Sequence, residues 1–212
     1  MRLKTRPIYY ANSEFTGNDM SKLRRVIRKI LLESMTNKAW SFFNQQDGFE
    51  QMTRREVPSK ELLSSNRNVY YGRYILDNCQ TLFQIEETEI YDFVNNEGVQ
   101  VVYIHGLRST PPMECQGKGM GTHVMNKIME FADSLGMGVA GEVVPYGSSK
   151  MSRDDMRAFD ARFGLFPLEH YLQFLDPLDA ADEDVMYEIN EFINSNTDMV
   201  WRPAKGSMPE PL

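Results

Sequence analysis

The feature that most constrains this sequence is a glycine-rich loop between a predicted buried strand and a predicted amphipathic helix. The loop is Gln116-Gly117-Lys118-Gly119-Met120-Gly121. Its glycines allow positive φ angles and a close approach of backbone amides to a ligand. The start of the helix adds N–H groups without intrahelical partners and a partial positive charge. The loop therefore predicts an anion site suited to phosphate or pyrophosphate, to which Lys118 adds a direct charge.

The elements around the loop follow from hydrophobic periodicity. Val99 to Leu107 is short, almost entirely apolar and bounded by turn residues, which predicts a buried central strand. The helix is predicted from about Gly119 to Leu135, where apolar residues recur at helical spacing and Gly136 follows as a terminator. A further strand is predicted from Gly138 to Val144. The next helix begins at Ser152 or Asp154 and ends near Phe163-Gly164.

The rest of the chain completes an α/β pattern. The remaining predicted elements are an edge strand at 8–11, a helix at 19–35, a short helix after Thr36, strands at 69–76, 82–86 and 89–94 with a turn at 95–98, a strand at 171–175, an acidic helix at 182–194 and a strand at 198–201. Residues 44–68 are predicted to be mainly loop. We expect a single domain over 1–203 and a tail over 204–212.

Composition narrows the class of protein. Hydrophobic residues make up 42% and charged residues 25% of the chain, which is typical of a packed globular domain. The net charge of -7 argues against broad nucleic-acid binding. The start of the chain lacks a secretory signal, and no apolar run is long enough to span a membrane, so we expect a cytoplasmic protein without membrane contact.

Neither cysteines nor histidines predict a special centre. Cys79 and Cys115 form no CxxC pair, so we expect no disulfide and a reducing compartment. Cys115 precedes the glycine loop and is interpreted as an ordinary loop cysteine, with a reactive thiol as the alternative. His105, His123 and His170 lack the spacing of metal ligands, so no metal is expected.

Two common nucleotide-binding motifs do not fit the loop. A P-loop requires Ser or Thr after its lysine, and Lys118 is followed by Gly119. A Rossmann fingerprint requires a glycine or alanine where Thr122 stands, and it follows its strand at once. Here a proline-containing stretch separates Leu107 from Gly117. An ordinary glycine-rich turn into a helix remains the simplest alternative to a phosphate site.

A third motif fits better. The loop resembles the Gln/Arg-x-x-Gly-x-Gly/Ala motif of the GNAT superfamily of acyl-CoA N-acyltransferases. Downstream, Phe159-Asp160-Ala161-Arg162-Phe163-Gly164-Leu165 resembles the Phe/Leu-Tyr-Glu-Lys-x-Gly-Phe helix end of that family. The resemblance covers Val99 to Leu165, about a third of the chain, and includes the order of the elements between the two motifs.

The resemblance implies a GNAT-type mixed, mostly antiparallel central sheet, flanked by helices and splayed at the CoA site. It implies that acetyl-CoA, the acyl-donor cosubstrate, enters the split with its pantetheine near Leu107 and Ser109. Its pyrophosphate would lie on the glycine loop and the helix start. The implied CoA-binding residues are Leu107, Ser109, Gln116, Gly117, Lys118, Gly119, Met120, Gly121 and Thr122.

Acyl transfer to an amine benefits from a base, an oxyanion donor and an acid for the leaving thiolate. Glu142 is the first candidate base, since some family members carry a glutamate on this strand; a half-exposed strand carboxylate is the alternative. His105 is the second candidate, with a satisfied core histidine as the alternative. The family usually has a tyrosine acid where Asp160 stands, and Tyr146 is the substitute candidate.

The expected function is transfer of an acetyl (acyl) group from acetyl-CoA to a primary amine of a small molecule or protein. The alternative is a catalytically silent GNAT-like module used for binding or assembly, which Asp160 and the acidic C-terminal helix motivate. A nucleotide-binding domain of another type is a third interpretation. A homodimer is a possible assembly. The basic face Lys22–Lys29 is interpreted as a solvated helix surface, or as a contact for an acidic acceptor or partner.

Overall fold

The computed structural model describes residues 37–53, 55–57, 69–110, 115, 117–143 and 151–207. The elements predicted at 8–11 and 19–35, and the basic face Lys22–Lys29, lie outside these residues. The described chain is a mixed α/β structure with a seven-stranded, mostly antiparallel open sheet. None of its described helices is both long and apolar enough to cross a lipid bilayer.

The order of strands in the sheet is β1-β2-β3-β4-β5-β7-β6. The strands are β1 (Phe49–Met52), β2 (Tyr70–Leu76), β3 (Cys79–Asp92), β4 (Glu97–Thr110), β5 (Gly138–Glu142), β6 (Phe166–Pro167) and β7 (Met199–Arg202). Among the described pairs only β4 and β5 run parallel. The crossover between them is a helix, as a parallel pair requires.

The helices cover both faces of this sheet. They are α1 (including residues 37–43), α2 (Met120–Leu135), α3 (Arg153–Ala161), a 3₁₀ helix (Leu168–Phe174), α4 (Pro177–Ala181) and α5 (Glu183–Ser195). Helix α2 is the crossover. Its buried side chains are Met120, Val124, Met125, Ile128, Met129, Phe131 and Ala132. They recur at helical spacing and hold the helix against the sheet.

The core is divided between the two faces by strand alternation. Val102 and Val139 pack with Phe43 and Ile128 in a cluster under α1 and α2, which we name the α2 face. The neighbouring residues of the same strands, including Val101, point the other way. They pack in a second cluster with the 3₁₀ helix and α5, which we name the α5 face. Successive side chains thus bury opposite faces of one sheet.

Several predicted elements are confirmed by the structure, with altered bounds. The strand predicted at 69–76 is β2, and those at 82–86 and 89–94 form one continuous strand, β3. The predicted helices at 119–135, 152–163 and 182–194 are α2, α3 and α5. Ser152 and Asp182 cap the last two with their side chains, as their residue types favour.

Two predictions were wrong. Residues 171–175 are not a strand: 171–174 belong to a 3₁₀ helix, in which Leu168 and Tyr171 are buried at a spacing of three, and Leu175 is its C-cap. The Tyr171 hydroxyl donates a hydrogen bond to the Trp201 carbonyl oxygen, which fastens this turn to β7. In addition, the stretch predicted to be loop contains β1, whose Phe49 and Met52 are buried by pairing with β2.

The prediction of unpaired cysteines was also wrong. Cys79 and Cys115 form a disulfide with their Cα atoms 5.6 Å apart. They are separated by 36 positions, and the antiparallel β3–β4 hairpin brings them together, since Gln80 next to Cys79 is paired with Thr110. Pairing at this separation depends on strand register, which spacing in the sequence does not reveal. The disulfide therefore closes the open end of the hairpin.

Candidate functional site

The glycine loop leads directly into α2 through two residues in the left-handed region. Gly117 has φ 79° and Gly119, the N-cap, has φ 74°. No side chain caps this helix, and its first intrahelical bond runs from the His123 N–H to the Gly119 carbonyl. A Cβ atom added to either glycine would stand in open space. The helix start is thus uncapped and approachable, as an anion site on backbone amides requires.

Lys118 makes a contact that the sequence does not suggest. Its Nζ lies 3.4 Å from the Cys79 Sγ. The two cysteines form a small buried cluster with Met120, against which Tyr74 packs. The glycine loop is therefore tied to the β2–β3 hairpin by a covalent bond before it and by the buried Met120 side chain at its end. Gln116 lies outside the described residues.

The described pairing of β4 with β5 ends next to the loop, and we name this end of the pairing the parting. Its last paired residues are Ile104 and Gly141, yet β4 continues to Thr110. In the described part of the chain, β5 supplies no register partner for residues 105–110. β5 itself ends at Glu142, and the backbone N–H and C=O groups of a strand are strong hydrogen-bonding groups. The parting is therefore a second candidate binding feature of the described chain.

Leu107 connects the parting to the loop. It packs at the edge of the α2-face core, and its Cδ2 would lie 3.5 Å from a Cβ on Gly121. The ring of Phe159 on α3 approaches the same point at 3.8 Å. Ser109, further along β4, shares a hydrogen bond of 2.8 Å with the Thr81 hydroxyl. Leu107 and Gly121, two of the residues predicted to bind CoA, are thus close to each other.

A β-bulge shapes the middle of β4. Gln84 is opposite Gly106, but Ile85 is opposite Ile104, so His105 is the extra residue of β4. Its Nε2 lies 3.1 Å from the Glu86 Oε1, and the side chains are only 16% and 11% exposed. This contact gives the imidazole a buried acidic neighbour. The interpretation of His105 as a satisfied core histidine gains support from it.

Glu142 ends β5 beside this bulge. Its carboxylate is exposed and accepts a hydrogen bond of 3.0 Å from the Tyr103 hydroxyl at Oε1. Tyr103 packs against the α5-face core, and its ring centroid lies 5.1 Å from that of His105. Tyr103 thus contacts both of the predicted bases, Glu142 and His105. Tyr146, the third catalytic candidate, lies outside the described residues.

Tyr103 and Glu86 are the site residues that sequence reasoning missed. Both lie inside long strands, where a tyrosine or glutamate carries no distinguishing pattern. The signal that could have found them is register, because Glu86 and Tyr103 are directly opposite each other on β3 and β4. Side chains directly opposite in an antiparallel pair share a face and interact.

Asp160, in the last turn of α3, is partly buried. It follows Met156 by four residues, and Met156, Phe159 and Phe163 pack against the α2-face core. Burial raises the pKa of the Asp160 carboxyl from 3.8 to about 6, because removal from water disfavours the charged form. The carboxyl group is therefore protonated at a higher pH than an exposed aspartate.

The described residues contain no group of three or more histidine, cysteine or acidic side chains suited to a metal ion. Comparisons of the chain with protein-family models, with curated proteins and with solved structures found no match. Evidence for a function consequently comes from the chain's own residues and from the motifs they form.

Proposed function

We propose that this protein is an acyl-CoA-dependent N-acyltransferase of GNAT type, which transfers an acetyl group from acetyl-CoA to a primary amine. The observation that carries the proposal is the conjunction of the uncapped, left-handed glycine loop at α2 with the parting of β4 and β5 beside it. An anion site alone fits many phosphorylated ligands. An anion site that continues along a strand edge for which the described part of β5 supplies no register partner fits a ligand with a pyrophosphate and a long, amide-bearing arm.

The donor would lie along the α2 face. Its pyrophosphate accepts hydrogen bonds from the amides that open α2, including those of Met120, Gly121 and Thr122. The pantetheine amides pair with β4 backbone between Leu107 and Ser109, where β5 offers no partner in the described chain. The thioester then reaches the bulge at His105 and Gly106. A backbone amide of β4 there is the candidate donor to the oxyanion.

The acceptor would approach from the α5 face, where Glu142 and Tyr103 lie. The Tyr103 hydroxyl holds one carboxylate oxygen of Glu142, and the other takes a proton from the attacking amine. The nitrogen attacks the thioester carbonyl carbon, the C–N bond forms, and the C–S bond breaks. The CoA thiolate leaves and takes up a proton from solvent. Opposite faces for donor and acceptor would allow both to be bound at once.

A catalytically silent, CoA-binding module is the second candidate, and Asp160 favours it. The resemblance places a tyrosine acid at this position, and an aspartate ionised at neutral pH would repel a leaving thiolate. The anion loop and the strand parting would be retained in such a module. Binding is therefore common to both candidates, and turnover separates them.

The first test is calorimetry of the full chain with acetyl-CoA, with CoA and with NAD. We expect binding of both CoA species and none of NAD. The absence of CoA binding at high micromolar concentration would exclude both candidates. If CoA binds, release of its thiol from acetyl-CoA across a panel of primary amines identifies an enzyme, and its absence with every amine supports the silent module.

The second test is Glu142→Gln, with Glu188→Gln as its matched control on the exposed surface of α5. We expect the Glu142 variant to lose about a hundredfold in kcat, the usual contribution of a general base, and to retain CoA binding. The Glu188 variant should retain both. Unchanged turnover in the Glu142 variant would remove that residue as the base.

A further inference from the structure

The disulfide lies next to the glycine loop and apart from the two large hydrophobic cores. Cys79 and Cys115 belong to a small cluster with Met120, separate from the two large cores of the α2 and α5 faces. Cys115 is two residues before Gly117, and β3 and β4 are already joined by pairing from Gln80–Thr110 to Asp92–Glu97, with one bulge. Cleavage of the bond would therefore release Cys115 beside the loop and leave the main cores in place.

Lys118 places a positive charge close to the disulfide. Its Nζ is 3.4 Å from the Cys79 Sγ. Among the described residues Lys118 forms no ion pair, so a neutral disulfide leaves its ammonium group available to an anion on the loop. Reduction converts Cys79 to a thiol, and a neighbouring ammonium favours the thiolate form. The thiolate would then compensate the Lys118 charge, so that the loop becomes both less constrained and less positive.

We propose that Cys79 and Cys115 form a reversible redox switch that sets the affinity of the glycine loop for its anionic ligand, high when oxidised and low when reduced. Oxidation proceeds by thiol–disulfide exchange with a low-molecular-weight disulfide. One such molecule accepts the two electrons of the two cysteine thiols and leaves as two thiols, while the Sγ–Sγ bond forms. The ligand in this proposal rests on the proposed function, whereas the change in the loop does not.

The change in the loop is tested without ligand. Mass spectrometry after thiol alkylation counts the bond in the chain, and hydrogen exchange follows the amides of Gly117–Gly121 before and after reduction with a phosphine. We expect faster exchange in these amides on reduction and unchanged exchange in α5. A chain that holds no bond under oxidising conditions, equal exchange in both states, or acceleration across the whole chain would each overturn the switch.

The change in affinity is tested by calorimetry with dethio-CoA, which has no thiol to exchange with the cysteines. We expect roughly tenfold weaker binding after reduction, since a loop that must be ordered on binding lowers affinity, and recovery after treatment with oxidised glutathione. The Cys79→Ser/Cys115→Ser variant lacks the disulfide and also the thiolate, so it should bind more weakly than the oxidised chain and ignore both reagents. Equal affinity in both states, or a redox response in that variant, contradicts the switch. No binding in any state contradicts the proposed function, while hydrogen exchange still decides the loop.

Discussion

At the scale of single residues, two of the three aspartates of α3 have opposite surroundings. The Asp155 side chain accepts hydrogen bonds from the Ser152 hydroxyl and backbone N–H in a capping box, and these lower the pKa of its carboxyl. Asp160, two turns from the helix start, is partly buried, and this burial raises the pKa of its carboxyl to about 6. An aspartate thus stabilises the start of the helix, while the partial burial of another destabilises its charged form near the end.

The Asp160 carboxyl predicts a specific dependence of stability on pH. Because its pKa is higher in the folded chain than the ordinary 3.8, its contribution to stability is full below about pH 4 and is lost as pH rises through about 6. The difference corresponds to at most about 3 kcal/mol. We expect Asp160→Asn to unfold at higher denaturant concentration than the natural chain at pH 7, with the gap closing at pH 4.

Glu188→Gln is the control for this experiment, since Glu188 is exposed on α5. It should change the free energy of unfolding by no more than about 0.5 kcal/mol. If Asp160→Asn gave the same difference at pH 4 and pH 7, the carboxyl would not titrate in the predicted window.

Tyr103 predicts a coupling that can be measured by a double-mutant cycle. If its hydroxyl acts by holding the Glu142 carboxylate, Tyr103→Phe should lower kcat roughly tenfold, the size expected for one hydrogen bond to a charged group, and leave KM for the amine nearly unchanged. In a chain that already carries Glu142→Gln, the same substitution should have no further effect.

Tyr91→Phe is the matched control, because the Tyr91 hydroxyl donates to Asn96 in the distant β3–β4 turn. It should leave kcat unchanged. Additive losses from Tyr103→Phe and Glu142→Gln would mean that Tyr103 does not act through Glu142.

At the scale of elements, α2 begins and ends on a left-handed glycine, with φ 74° at Gly119 and 67° at Gly136. A Cβ at either position meets open space. Substitution by alanine should therefore cost both variants a similar conformational strain, about 1–2 kcal/mol. Only Gly119→Ala places a methyl group beside the proposed anion site, so we expect it to weaken dethio-CoA binding at least tenfold, in contrast to Gly136→Ala.

Comparison of these two variants separates the effect of backbone strain from the effect of a methyl group at the proposed anion site. Unchanged affinity of the Gly119→Ala variant for dethio-CoA, measured by calorimetry, would remove the start of α2 as the pyrophosphate site. A loss in both would indicate that the helix as a whole had shifted.

The helices were predictable from sequence because their signals are local. In α2 and α5 the apolar stripe repeats over more than three turns, and Asp182 and Gly136 end the pattern with residues of strong positional preference. β1 was missed because it is only four residues long and depends on its pairing with β2, which the sequence does not show. The 3₁₀ helix was mistaken for a strand because its aromatic residues favour strands. It has only seven residues, so its period of three repeats too few times to be recognised.

At the scale of the whole molecule, the candidate site was predictable only in part. The glycine loop is contiguous, so its residues could be recognised from sequence. The Tyr103–Glu142 and Cys79–Cys115 pairs join residues 39 and 36 positions apart and depend on strand register. A shift of one residue in β4 would move every side chain to the other face of the sheet, and the bulge at His105 makes such a shift within the strand itself.

The place of β7 has a consequence for how the molecule is made. β7 lies between β5 and β6, although it is the last of the described strands along the chain, and it pairs with Val139–Glu142 on one side and Phe166–Pro167 on the other. During synthesis this edge of β5 therefore stays without β7 until Met199–Arg202 has left the ribosome. We expect nascent chains stalled before residue 199 to be digested by protease at β5, and released chains of 212 residues to resist it.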